Sequence, residues 1–81
     1  MLKETCDLME QIQKRIQPGA LLNLSIDENQ VLIIQVCVRI GGQFVCYGEY
    51  ITRESMIAVP EEVIVKVFCD RANARFCMVE A

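Results

Sequence analysis

The sequence predicts a small α+β domain: a three-stranded antiparallel meander with two helices packed on one face, in the order α-β-β-β-α. Three observations predict it. An apolar stripe recurs every three or four residues near the start of the chain. Two apolar, β-branched runs between Leu32 and Ile51 fold around Gly41-Gly42. Pro60-Glu61-Glu62 then opens a second helical stretch.

Lys3 to Gln17 reads as a helix, because Leu2, Cys6, Met9, Ile12 and Ile16 fall along one side of it. Pro18-Gly19 stops it. Ala20 to Asp27 reads as a strand, with Leu22, Leu24 and Ile26 alternating against Asn23 and Ser25. Asp27-Glu28-Asn29-Gln30 is a turn, since Asp and Asn support the local hydrogen bonds that turns need. Val31 to Ile40 is too rich in β-branched residues to favour a helix and forms the second strand. Gly41-Gly42 suits a two-residue hairpin turn, and Gln43 to Thr52 is the third strand.

A helix from Pro60 to about Cys77 follows, because proline is tolerated at the first helical position and acids suit the positive end of the helix dipole. It would turn Ile64, Val67, Phe68 and Ala74 inward. The run Val63-Ile64-Val65-Lys66-Val67 also has strand propensity. The alternative is therefore a C-terminal segment of extra strands, with a turn at Asp70 to Ala74.

The two-residue loop sets Ile40 opposite Gln43, Val38 opposite Val45 and Val36 opposite Tyr47. One sheet face then reads Leu32, Ile34, Val36, Val38, Ile40, Val45, Tyr47 and Ile51, with Glu49 its one charge, and Leu22, Leu24 and Ile26 join it. A one-residue slip would send a whole strand to the wrong side, so the hydrophobic pattern selects the register. The opposite face keeps Val31, Ile33, Cys37, Phe44, Cys46 and Tyr50, where a water-facing sheet usually alternates to polar. A patch of that kind marks an interaction site unless the C-terminal segment covers it.

At 81 residues the chain reads as one domain, 1–81, and a chain this short buries only about 60% of its unfolded surface. The net charge of −3 opposes the cation surplus that binding to phosphate or anionic lipid requires. Five cysteines without a CxxC pair do not suggest a secreted disulfide framework, and acids interrupt the N-terminal stretch too early for a signal peptide. The expected location is a reducing cytoplasm, with the cysteines acting as small buried hydrophobes.

Candidate chemistry is sparse. Cys37 and Cys46 fall opposite each other, where a disulfide is geometrically conceivable, but a reducing compartment favours two packed thiols. Zinc binding by Cys37, Cys46, Cys69 and Cys77 lacks the short paired spacing of structural sites. The chain has no histidine, which removes Ser-His and Cys-His pairs. Glu49, between Tyr47 and Ile51 on the apolar side, would pair with a cation such as Arg53 or Lys66. No catalytic residue, metal site or cofactor is expected.

The element order, with its Gly-rich hairpin and Gly48-Glu49 before the last helix, is similar to the double-stranded-RNA-binding domain. The resemblance covers layout and not motif. That family opens its final helix with a lysine cluster. Here the stretch is Val59-Pro60-Glu61-Glu62-Val63, whose charge would repel phosphate, so RNA binding does not carry over.

The expected function is therefore that of a small accessory protein, of the kind phages and mobile elements encode, acting by protein binding and self-association. Val31, Ile33, Phe44 and Tyr50 are the expected contact surface, with Arg39 at its rim, and a homodimer or a protein partner is expected. The alternative is an acidic inhibitor that mimics nucleic acid at a host enzyme's binding site through Asp27, Glu54, Glu61 and Glu62.

Overall fold

The hairpin at Gly41-Gly42 organises the sheet. Both glycines adopt positive φ, 58° and 83°. That is the conformation a two-residue turn requires if its strands are to keep their right-handed twist. In the computed structural model, which describes residues 2–79, strands β2 (Leu32–Ile40) and β3 (Gln43–Ile51) pair antiparallel from Ile40↔Gln43 to Leu32↔Ile51. Val38↔Val45, Val36↔Tyr47 and Cys37↔Cys46 hold the register that the loop length implies. Strand β1 (Leu21–Ile26) adds to the other side of β2, with Leu22↔Val36 and Leu24↔Ile34, giving sheet order β1-β2-β3.

The β1–β2 turn is built by Asp27. Its Oδ1 accepts from the backbone N–H of Asn29 at 2.8 Å and of Val31 at 2.9 Å. Gln30 takes the positive φ, 62°, that closes the loop. Side chains that bond their own backbone in this way hold turns without help from the core.

Three helices complete the described residues. They are α1 (Leu2–Arg15), α2 (Arg53–Ala58) and α3 (Glu61–Cys77), so the C-terminal segment is helical and not a pair of extra strands. The short α2 was not expected from the sequence. Thr52 caps it, accepting from the Ser55 N–H at 3.2 Å, which satisfies one of the donors that every helix start leaves free.

Helices α1 and α3 cover the aliphatic sheet face. Leu8 and Ile12 of α1, with Ile16 just past its end, meet Leu32, Ile34, Val36, Val38 and Val45 of the sheet and Val65, Phe68, Cys69, Ala72 and Phe76 of α3 in one buried cluster. The Phe68 ring packs on Tyr47 with centroids 5.5 Å apart and planes tilted by 54°, an arrangement that aromatic quadrupoles favour.

Two expectations about helix faces need correction. On α1 the buried line runs through Leu8, Ile12 and Ile16, with Met9 half-buried. The side chains of Leu2 and Cys6 lie outside the described ones. On α3 the buried set is Ile64, Val65, Phe68, Cys69, Ala72 and Phe76, while Val67 and Ala74 are exposed. The reason is that α3 touches α1 as well as the sheet. Cys69 Sγ lies 3.9 Å from the Ile12 carbonyl, so the inward stripe widens toward α1 and rotates away from Val67.

Asn73 ties the two helices together. Its Nδ2 donates to the Arg15 carbonyl at 3.0 Å, and its Oδ1 accepts from the Gln17 N–H at 3.2 Å. It thereby satisfies an orphan carbonyl at the end of α1 and fixes the exit of the chain.

We predict that Phe68→Ala lowers stability by about 3–5 kcal/mol, the usual cost of emptying a buried phenyl site. Val67→Ala should change it by about 0.5 kcal/mol or less, as exposed substitutions do. Urea titrations of both variants test this. Equal losses would place Val67 in the core and contradict the observed rotation of α3.

Candidate functional site

The strand face away from the helices is the candidate interface. Its residues are arranged in cross-strand rows. Leu21 lies opposite Cys37, which lies opposite Cys46; Ser25, Ile33 and Tyr50 form another row; Asn23, Gln35 and Gly48 form the row between them. Arg39 faces Phe44 beside the hairpin, and its guanidinium carbon stands 6.0 Å from the Phe44 ring centroid, at the outer limit of a cation–π contact.

Phe44 and Tyr50 are 68% and 76% exposed, so neither ring is covered by the helices. Arg39 is exposed, and Ile33 and Val31 are half-buried. Val31 stands one residue before β2 and donates its N–H to Asp27, so it borders the sheet more than it forms part of it. The sheet brings Ile33 beside Tyr50 and Arg39 beside Phe44. The polar Gln35–Gly48 pair separates these two ends.

Leu21 is a further apolar member, 67% exposed, at the end of the disulfide row. Its odd position in the β1 alternation, out of phase with Leu22 and Leu24, was the available signal. A side chain at Gly48 would meet Gln35 Cγ and the Ile34 carbonyl at 3.3 Å, so the neighbouring strand crowds this position.

The cysteines separate into distinct environments. Cys37 and Cys46 are joined as a disulfide across β2 and β3, with Cα atoms 4.1 Å apart. This corrects the expectation of two packed thiols: the pair occupies the strand position where opposed side chains come closest. Cys69 is buried between α1 and α3 and Cys77 is exposed at the end of α3, so the four cysteines considered for zinc are not gathered. Among the described residues, no group of three or more histidine, cysteine or acidic side chains is placed to hold a metal ion.

Glu49 has partners other than those expected. Its Oε1 accepts from Arg71 at 3.0 Å and its Oε2 accepts from the Tyr47 hydroxyl at 2.8 Å. Arg53 and Lys66 do not reach it. Lys66 pairs instead with Asp70, four residues on, at 2.7 Å. Burial, and then the hydrogen bond and charge of Glu49, raise the Tyr47 hydroxyl above its ordinary pKa of 10.0.

Beside this chain, Tyr50, Ile51, Val59, Val63 and Val67 line an open groove of about 370 Å³ between β3 and the helices. Of the acids considered for nucleic-acid mimicry, Asp27 is occupied by its own turn and Glu61 accepts from Gln11 at 2.9 Å. Glu54 and Glu62 are exposed.

No protein-family model matches this chain, and no curated protein or solved structure matches it. Among the described residues, no helix is long and apolar enough to cross a membrane.

Burial also raises the Cys69 thiol above its ordinary value of 9.0, with Asp70 adding to the shift. Tyr47 and Cys69 both hold their protons more tightly in the folded chain than in the unfolded one. Their contribution to stability is therefore complete below the ordinary values and lost as pH rises through the raised folded ones. We predict that the urea midpoint falls above about pH 9 and that Tyr47→Phe removes the tyrosine's share of that fall. A midpoint independent of pH between neutrality and strong alkali would contradict this. Alkylation of the native protein at mildly alkaline pH should modify Cys77 and spare Cys69, read by peptide mass mapping. Equal labelling would contradict the burial of Cys69.

Proposed function

We propose that this chain is a non-enzymatic accessory protein that works by binding protein and associates with a second copy of itself. The observation that carries the reading is the exposure of Phe44 and Tyr50, at 68% and 76%, on the sheet face opposite both packed helices. The two rings stand at opposite ends of that uncovered face, and large exposed apolar groups on one face often mark an interaction site. A chain of this size also has little stability to spare, and an interface adds to it. Symmetric pairing of two copies is the commonest form such association takes.

The remaining chemistry supports the same class. The chain has no histidine. The half-buried carboxylate, Glu49, is already bound by a phenol and a guanidinium. The net charge of −3 disfavours a nucleic-acid partner. A small accessory protein of a phage or mobile element fits this profile. We place it in the cytoplasm.

The contact surface is anchored by Phe44 and Tyr50, with Val31, Ile33 and Arg39 around them. Phe44→Asp places a charge at that anchor without touching the core. We predict that sedimentation equilibrium gives a dimer for the unmodified chain and a monomer for this variant. An unchanged mass would count against the surface.

A further inference from the structure

We propose that the outer edge of β3 is the self-association seam, where a second copy of this chain adds its own β3 antiparallel and joins two three-stranded sheets into one of six. This rests on the self-association reading and gives it a geometry. The seam starts from unpaired backbone. The 4.1 Å Cα spacing of Cys37 and Cys46 marks a non-hydrogen-bonded antiparallel pair. Bonded and non-bonded pairs alternate, so Phe44, Cys46, Gly48 and Tyr50 turn their N–H and C=O groups away from β2 and out of the sheet. Among the described residues, no backbone hydrogen bond from a turn, loop or cap reaches residues 43–51.

Proteins usually blunt such an edge with lysine, proline, a bulge or a short strand. β3 has none of these: it runs nine residues, pairs in continuous register and contains neither lysine nor proline.

Charge and the self-complementary register of the strand point to a second copy as the occupant. The one charged residue of β3 is Glu49, and Arg71 of the same protomer neutralises it at 3.0 Å. Two β3 strands therefore meet without like-charge repulsion. Aromatic side chains bury about 150–250 Å² each, so Phe44 and Tyr50 leave roughly 300 Å² uncovered per chain, against about 800 Å² per partner in a standard interface. Val63 and Val67 add apolar surface on the helix side of the same edge. They lie four residues apart on α3, are 45% and 37% exposed, and line the groove alongside Glu49 and Tyr50.

Two-fold symmetry completes the match. With the axis at Tyr47, Phe44 falls opposite the partner's Tyr50 and Cys46 opposite the partner's Gly48, all four drawn from the edge-facing set. The joined sheet then presents Val31 and Ile33 of both copies on one continuous open face, where another protein would be met.

The test measures the mass of the full chain by sedimentation equilibrium and its amide exchange by NMR. Val63→Lys with Val67→Lys, both off the open face, should weaken the dimer about tenfold or more with an unchanged circular dichroism spectrum. Ile33→Asp, on the central strand, should leave the dimer intact. The amides of Phe44, Cys46, Gly48 and Tyr50 should exchange about tenfold more slowly in the dimer than in the double-lysine monomer. A dimer that survives both lysines, exchanges those amides freely and is split by Ile33→Asp overturns edge pairing while self-association through the open face stands. A chain that is monomeric at every concentration overturns both.

Discussion

The register of the β2–β3 hairpin is the constraint on which the rest of this structure depends. Gly41 and Gly42 can take the positive φ values of a two-residue turn, and that turn fixes which residues of β3 share a face with which residues of β2. Side chains alternate with period two, so one choice sorts the whole sheet. Ile34, Val36, Val38 and Val45 go to the helices, while Ile33, Phe44 and Tyr50 go to the other side. A slip of one residue would bury the aromatics and expose the aliphatic core.

The helices then cover one face and stop there. α3 lies against both the sheet and α1, which explains why its buried stripe takes in Val65, Cys69 and Ala72 and leaves Val67 out. Asn73 bonds the end of α1 through both ends of its amide, so the two helices are joined by polar contacts at their rim as well as by the core. The single charge on the covered face, Glu49, is accommodated at the margin, where Tyr47 donates from inside and Arg71 from the exposed side of α3. These features use the helical surface on one side of the sheet, and Phe44 and Tyr50 on the other side are exposed.

Most of the fold was legible because its signals are local. The Gly41-Gly42 turn, the Pro18-Gly19 stop and the Pro60-Glu61-Glu62 start each act through backbone conformation, and the observed β1, β2, β3 and α3 begin and end within a residue of where those signals place them. What was not legible depends on tertiary contacts. The face of α3 could not be fixed from its own sequence, since four of the five residues from Val63 to Val67 are apolar and contact with α1 selects Val65 over Val67. The partner of Glu49 was misplaced for a similar reason: Arg71 reaches it only once α3 has rotated. The α2 helix did have a local signal in Thr52 and Ser55 that the strand pattern before it obscured. The Cys37–Cys46 opposition followed from the register. The bond itself did not, because the compartment argument pointed to thiols.

The open face was visible in the sequence as an excess of apolar residues out of phase with the core, and Ile33, Arg39, Phe44 and Tyr50 occupy it as the alternation requires. The most direct measurement of the central claim is the set of short interstrand α-proton contacts in an NMR spectrum of the folded chain. The register predicts them in the closely spaced pairs Arg39–Phe44, Cys37–Cys46, Gln35–Gly48 and Ile33–Tyr50. Contacts displaced by one residue, such as Cys37 to Val45 or Cys37 to Tyr47, would contradict it and put the aromatic face inside the protein.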